Sequence, residues 1–138
     1  MNDNCIFCKI ANKTINAKII KENDYAIAFL DLNPISEGHC LVIPKKHHLD
    51  LVTCFKKELS SVMELVQETA RLLESTKLEP WGFNYLSNQG KIAGQEVNHF
   101  HFHIIPKYEK NNGFVQNNNI SKNDRDIEDI FSIIKKKL

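Results

Sequence analysis

The chain has 138 residues, of which 42% are hydrophobic and 25% charged, and its formal net charge is +1. That length is enough for one domain with its own core, and the balanced charge differs from the strongly basic composition of nucleic-acid-binding proteins. Because no stretch approaches the roughly 18 apolar residues of a membrane span and the N-terminus lacks a signal-peptide pattern, we expect a cytoplasmic protein without membrane or nucleic-acid partners.

The first third of the chain predicts a short helix followed by strands and a loop. Apolar runs rich in β-branched and aromatic residues indicate the strands, and clustered Asn, Pro, Ser and Gly indicate the loop. In chain order we predict a short helix or knuckle over residues 5–11, strands over 19–20 and 25–30, a loop over 31–38 and a strand over 40–43.

The middle of the chain predicts one long amphipathic helix over residues 55–76. Its apolar residues recur at intervals of three and four, which gives a single stripe: Leu59, Val62, Met63, Val66, Ala70 and Leu73. Beyond it we predict a strand over 81–86, a glycine-containing loop over 87–95 and a strand from about 98 to 107.

The C-terminal part predicts an Asn-rich linker over 111–119 and an amphipathic helix with Ser121 as a candidate N-cap. This helix is either a packing element or a dimer contact, and its apolar face carries Ile127, Ile130, Phe131 and Ile134. The order of elements predicts an antiparallel α+β domain of about five strands over residues 1–110, with 111–138 packed on it or extending it.

The segment NHFHFHIIP carries His99, His101 and His103 at every second position. In a strand these imidazoles share one face, whereas the other face carries apolar residues suited to a core: Phe100, Phe102 and Ile104. Such a row is not typical of purely structural histidines. It fits either a metal site or nucleophilic attack by a neutral imidazole.

A glycine-containing loop ends just before this row, at Gly94-Gln95-Glu96. Backbone N–H groups in such a loop can converge on an anion without obstruction from side chains. An anion cradle next to histidines favours phosphorus chemistry over a pure metal site.

Cys5 and Cys8 form a C-x-x-C, which is a common half of a zinc site, and His47, His48 and His99 are available partners. The alternatives are a redox pair or two buried thiols, but a thioredoxin-like motif requires a βαβ context that this sequence lacks. We therefore favour zinc. The other two cysteines have the pattern of ordinary buried small residues: Cys40 and Cys54.

The segment GQEVNHFHFHIIP resembles the signature of the histidine triad (HIT) superfamily. Three further segments match that superfamily in the right order, so that the resemblance covers roughly residues 5–107: CIFCKI, AFLDLNPISEGHCLVIPKKH and LSNQGKIAGQEV. It implies a HIT-like fold, a homodimer, no organic cofactor, and a bacterial-type (Hint-like) nucleotide hydrolase that forms a nucleotidyl-histidine intermediate.

The resemblance implies an adenosine 5′-phosphoramidate as the substrate and AMP as the product. Three alternatives stay open: a diadenosine polyphosphate hydrolase, a nucleotide-binding sensor dimer with vestigial catalysis, and a metalloenzyme that uses the histidine row directly as ligands.

By position, the resemblance makes His101 the nucleophile and has His103 and His39 donate to the phosphate oxygens. Asp31 matches the ribose contact, although an Asx-turn is the structural alternative, and Asn88 matches a polar contact in the same pocket. Positions around the base are matched by apolar residues, some of which we expect to be core instead: Ile6, Phe7, Ile10, Phe29, Leu30, Leu32 and Leu41.

The phosphate loop of the family corresponds to Gly94, Gln95 and Glu96. Backbone N–H groups there are expected to stabilise the phosphate, and the Gln95 side chain is a candidate contact to the leaving group. Many family members carry Ser or Thr where this chain has Glu96, so a hydroxyl contact to the leaving group is lost. The resemblance also implies a structural zinc held by Cys5, Cys8, His47 and His99, with His48 competing for the third position.

Overall fold

One five-stranded antiparallel sheet organises the computed structural model, which describes residues 3–138. Its order is β1-β2-β3-β5-β4, and its strands are β1 (Ile19–Glu22), β2 (Ala26–Leu30), β3 (Cys40–Pro44), β4 (Gly82–Leu86) and β5 (Phe102–Lys107). Strand β5 lies between β3 and β4 and pairs antiparallel with both. The predicted antiparallel α+β architecture is confirmed, and β5, which carries His103, occupies an interior position of the sheet.

Helix α1 (Ile6–Ala11) and helix α2 (Lys56–Glu74) pack on opposite faces of this sheet. The period-2 geometry of a strand distributes β2 between the two cores: Ala26 and Ala28 belong to the α2 side, whereas Ile27 and Phe29 belong to the α1 side. Because both faces are covered, β2 and β3 are apolar along most of their length.

The apolar stripe of α2 differs from the prediction at one position. Met63 is 42% exposed, whereas Leu65 is fully buried in its place. Successive residues of an α-helix are rotated by about 100°, so Met63 lies on the flank of the buried Val62, while Leu65 returns to the same face one turn later.

Strand β5 begins at Phe102, four residues later than predicted, and His99 and His101 precede it, with a bend over residues 97–99. In the register of the ladder, Pro44 would face Phe100, but proline has no N–H to continue the ladder. The Phe100 N–H donates instead to the His48 carbonyl oxygen at 2.6 Å. The alternation of sides survives nonetheless, because Phe100 and Ile104 both lie in the α2-side core.

The C-terminal helix α3 (Ile127–Lys135) begins after Asp126, whose side chain accepts from the Asp129 N–H at 2.9 Å. Ser121 is therefore not the N-cap, because the apolar periodicity starts only at residue 127. No residue of α3 is buried, and its apolar face stays exposed, so packing on its own domain does not occur and the dimer-contact alternative remains. No helix within residues 3–138 has the length and apolarity needed to cross a membrane.

Candidate active site

A cleft of about 530 Å³ opens between α1, the ends of the central strands and two loops, residues 31–39 and 88–97. This volume suits a small organic ligand. Its polar lining consists of Asn16, Asp31, Asn33, His39, Asn88, Glu96, His101 and His103. Its apolar lining includes every residue that we predicted around the base: Ile6, Phe7, Ile10, Phe29, Leu30, Leu32 and Leu41.

Among the predicted substrate-binding residues, Gln95 is the one that does not line the cleft. Its buried side chain accepts from the Gly90 N–H at 2.9 Å and donates to the carbonyl oxygens of Leu49 and Val97 at 2.7 and 3.1 Å. An amide with three bonds of this kind holds the loop in shape instead of reaching a leaving group.

Gly94 shows why the loop needs glycine at this point. Its φ is +97°, and an added Cβ would lie 3.2 Å from Nδ2 of Asn88. The same Nδ2 donates to the Gly94 carbonyl oxygen at 3.5 Å, which draws Asn88 against the loop. The turn therefore brings Asn88, Gly94 and Glu96 to one wall of the cleft.

His101 is buried and has a single orientation fixed by its backbone. Its Nδ1–H donates to the carbonyl oxygen of His99 at 2.7 Å, which leaves the Nε2 lone pair free. Burial lowers the pKa of His101, so the ring is neutral at pH 7. The edge of the Phe7 ring packs against it with centroids 5.1 Å apart.

His39 and His103 form a pair of imidazoles beside His101. The His39 Nε2 atom lies 2.9 Å from Nδ1 of His103 and 3.6 Å from a carboxylate oxygen of Asp31. Burial lowers the pKa of His39 and lowers the pKa of His103 to about 4. Three neutral imidazoles and one carboxylate thus converge on one end of the cleft.

Asp31 uses its two carboxylate oxygens differently. Oδ1 accepts from the Asn33 N–H at 2.9 Å, which is the Asx-turn considered as the structural alternative. Oδ2 points to the His39 side of the cleft. The turn does not exclude a ribose contact, since it occupies only one oxygen and fixes the direction of the other.

Four potential metal-ligand atoms meet around His99. Cys5 and Cys8 lie at the N-terminus of α1, where the Cys5 Sγ accepts from the Cys8 N–H at 3.4 Å. The Cys8 Sγ lies 3.3 Å from Nδ1 of His47 and 3.5 Å from Nδ1 of His99, and all four ligand atoms lie within 4.8 Å of one another. Such spacings approach the roughly 3.5 Å expected between ligands of a tetrahedral zinc.

The tautomer of His99 fits this metal site. Its Nε2–H donates to the Pro44 carbonyl oxygen at 2.9 Å, so the Nδ1 lone pair faces the two thiols. His48 does not belong to the cluster. Its ring packs on Phe55, and its Nε2 lies 3.9 Å from a carboxylate oxygen of Glu58. Of the two adjacent histidines, the structure therefore brings His47 to the cysteines.

Comparison with known proteins decides the family. The model of the HIT domain matches residues 12–110, which include the three alternating histidines and most of the cleft lining, except for the part that α1 contributes. The chain belongs to the HIT family. The match begins after Cys5 and Cys8, so the domain model does not include the cysteine pair.

Similar sequences include an uncharacterized HIT protein and a HIT protein named as an enzyme. An uncharacterized HIT-like protein of Mycoplasma genitalium is 49% identical over 130 residues, which cover 94% of this chain and 91% of that protein. The adenosine 5′-monophosphoramidase HNT1 of Saccharomyces cerevisiae is 42% identical over 111 residues, 80% of this chain and 67% of the yeast enzyme.

Two solved HIT structures support the fold. A HIT family protein from Bacillus anthracis superposes with a TM-score of 0.88 at 37% identity, covering 100% of this chain and 99% of that one. A zinc-bound histidine triad family protein from Mycobacterium smegmatis superposes with a TM-score of 0.76 at 31% identity and covers 83% of each chain.

The HIT site also depends on groups that the sequence did not indicate. The Ser87 hydroxyl donates to the His101 carbonyl oxygen at 2.8 Å. Two further hydroxyls brace the 31–39 loop: that of Ser36 donates to the Pro106 carbonyl oxygen, and that of Tyr108 donates to the Glu37 carbonyl oxygen. The Ile35 N–H donates to Nδ1 of His39 at 3.1 Å. Backbone partners have no sequence signature, and the hydroxyl donors stand outside any motif.

Proposed function

We propose that this HIT protein hydrolyses adenosine 5′-phosphoramidates and releases AMP. The observation that carries the proposal is the fixed His101 ring, whose Nδ1–H is bonded to the His99 carbonyl while its Nε2 lone pair remains available in the cleft. The yeast HIT relative named as an adenosine 5′-monophosphoramidase supports this choice of substrate.

The reaction follows from that lone pair. Nε2 of His101 attacks the α-phosphorus, the Nε2–phosphorus bond forms as the phosphorus–nitrogen bond breaks, and the leaving nitrogen takes a proton from water. A second water then attacks phosphorus, the Nε2–phosphorus bond breaks, and AMP leaves as that water gives its proton to solvent. His103 and the backbone N–H of Glu96 stabilise the charge on the phosphate oxygens, and His39 acts through its contact with Nδ1 of His103. The N–H groups of Gly94 and Gln95, which we expected to contribute, donate instead to the carbonyl oxygens of Lys91 and Gly90.

Different parts of the cleft bind the base and the ribose of the nucleotide. The apolar slot between α1 and β2 holds the base between Phe7, Ile10 and Phe29, and Asp31 accepts hydrogen bonds from the ribose hydroxyls. Gln95 supports the loop that carries Glu96 and makes no contact with the leaving group in this proposal.

Charge in the cleft favours an amine leaving group over a polyphosphate. Asp31 and Glu96 are the charged side chains of the lining, and none of the described residues that line the cleft is Lys or Arg. A diadenosine polyphosphate would bring several negative charges to these carboxylates, which is electrostatically unfavourable. A neutral or cationic amine meets no such repulsion.

A substrate panel tests the proposed function. We expect kcat/KM for an adenosine 5′-phosphoramidate with an alkylamine leaving group to exceed that for diadenosine tetraphosphate by about 100-fold or more, measured by chromatography of released AMP. Glu96→Gln is the matched control. It removes the repulsion between one carboxylate and the polyphosphate, about 1.4 kcal/mol, and should therefore lower the ratio of the two kcat/KM values by about tenfold. Preference for the diadenosine substrate would reverse the choice, and turnover of neither would overturn both enzyme proposals.

Cys5, Cys8, His47 and His99 would hold one zinc ion, which closes its coordination shell and has a structural role. Such a crosslink fixes α1 and residue 47 to the segment that carries His101. The zinc-bound mycobacterial HIT structure supports this assignment. The two thiols must be reduced to bind metal, which agrees with our prediction of a cytoplasmic location.

We also infer a homodimer that forms through α2 and the edge strand β4. A groove there is lined by the apolar and aromatic residues Met63, Val66, Tyr85 and Phe102 and by the polar residues Ser60, Glu64 and Gln67. Strand β4 has no neighbour on its outer side among the described residues. A partner that covers this face would pair the free edge and bury the exposed Met63 and Tyr85.

A charge placed in the groove tests the dimer. We expect light scattering to give twice the chain mass of 15.9 kDa for the wild type and a shift toward the monomer for Met63→Asp, because a carboxylate would be desolvated in the interface. Ile120→Asp, at an equally apolar exposed residue outside the groove, should stay dimeric. A wild-type monomer would contradict the inference.

A further inference from the structure

His101 and His103 have different hydrogen-bond partners at their Nδ1 atoms. Nδ1 of His101 faces a carbonyl oxygen, that of His99, which can only accept. Nδ1 of His103 faces another imidazole, at 2.9 Å from Nε2 of His39. The first contact requires a proton on Nδ1 of His101, while the second is decided by the proton position of His39.

The proton position of His39 follows from its other nitrogen. The Ile35 backbone N–H lies 3.1 Å from Nδ1 of His39, and an amide N–H can only donate. Nδ1 therefore carries the lone pair, and in the neutral ring the proton is on Nε2. His39 is 2% exposed, so water does not compete for either nitrogen.

The hydrogen bonds continue from His39 to His103 at the cleft. With its proton on Nε2, His39 donates to Nδ1 of His103, and the neutral His103 ring consequently carries its own proton on Nε2. The ring centroids of His101 and His103 lie 5.1 Å apart. One ring thus offers a lone pair and its neighbour offers a donor.

We propose that the backbone N–H of Ile35 is a positioning group that fixes the tautomers of His39 and His103, so that His103 donates to the substrate phosphate beside the nucleophilic lone pair of His101. This inference rests on the proposed function. Ile35 acts through His39, and no proton transfer is required, because each ring keeps its tautomer through the reaction.

The same tautomer is unfavourable for a cation at the other cluster of ligand-type residues, Asp31, His39 and His103, whose ligand atoms lie within 4.8 Å of one another. Coordination through Nε2 of His39 would move its proton to Nδ1, where it would point at the Ile35 amide hydrogen. The arrangement therefore disfavours a metal ion at this cluster, in contrast to the one around His99, whose Nδ1 lone pair faces the thiols.

Nitrogen NMR of the wild-type protein tests the tautomer directly. With uniform 15N labelling near pH 7.5, we expect His39 to show an unprotonated Nδ1 and a protonated Nε2, and a through-hydrogen-bond coupling between Nδ1 and the Ile35 amide nitrogen. A proton on Nδ1 of His39 would overturn the inference. This readout does not depend on turnover, so a wild-type protein that fails to hydrolyse phosphoramidates would refute the proposed function separately.

Two matched pairs of variants connect the tautomer to the rate. Ile35→Pro removes the N–H, whereas Ile35→Ala keeps it, so we expect kcat to be about 10-fold or more lower in the proline variant than in the alanine variant, and the wild-type His39 tautomer to be lost in the proline variant alone. His39→Gln keeps a donor near the Nε2 position, whereas His39→Asn does not, so the asparagine variant should lose about 10²-fold and the glutamine variant about tenfold or less. Equal losses within the His39 pair would contradict the proposal.

Discussion

Replacing His101 by alanine should abolish the covalent nucleotide adduct and reduce kcat/KM by about 10⁴-fold or more. The reason is that no other ring offers a free lone pair at that place: Nε2 of His39 is bonded to His103, and Nε2 of His99 is bonded to the Pro44 carbonyl. Intact mass spectrometry after quenching without acid checks the prediction. A gain of one adenylate should appear in the wild type and not in the variant.

The affinity of the variant for AMP separates chemistry from binding. The base slot and Asp31 are unchanged by His101→Ala, so titration with AMP should still show binding. Comparable AMP release from both proteins would refute a nucleophilic His101 and revive the metalloenzyme alternative. Absence of both adduct and AMP in the wild type would favour a nucleotide sensor without catalysis.

The elements that could be predicted from the sequence are those whose pattern is local. The alternation of His101 and His103 with Phe100, Phe102 and Ile104 reports the two sides of one extended segment, and the structure places those sides as expected. The start of β5 could not be predicted, because it depends on Pro44 in the neighbouring strand, 58 positions before Phe102 in the sequence.

The contacts of the site that could not be predicted also depend on residues distant in the sequence. A glutamine in a phosphate loop suggests a ligand contact, yet the carbonyl oxygens of Leu49 and Val97 occupy the Gln95 amide, and the Leu49 contact is known only from the fold. The choice between His47 and His48 likewise depends on which ring the turn after β3 directs to the cysteines. Side-chain chemistry is visible in a sequence, whereas the backbone groups that orient it are not.

The metal site provides the second large expected effect. We predict that the purified protein holds one zinc per chain and that Cys8→Ala removes it. A ligand present at a thousand times its Kd stabilises the folded state by about 4.1 kcal/mol. For a chain of this length, the loss corresponds to a fall in Tm of roughly 12 °C. Elemental analysis and thermal unfolding with and without a chelator check both statements.

Cys40→Ala is the matched control, since Cys40 is fully buried outside the cluster and burial raises the pKa of its thiol to about 11. It should keep one zinc, and chelation should lower its Tm as it does in the wild type, whereas the Tm of Cys8→Ala should not respond to the chelator. Because none of the four ligands lines the cleft, zinc loss should lower activity only as the His99–His101 segment loosens. Immediate and complete loss of activity on chelation, with more than one metal per chain, would instead indicate that the metal takes part in catalysis.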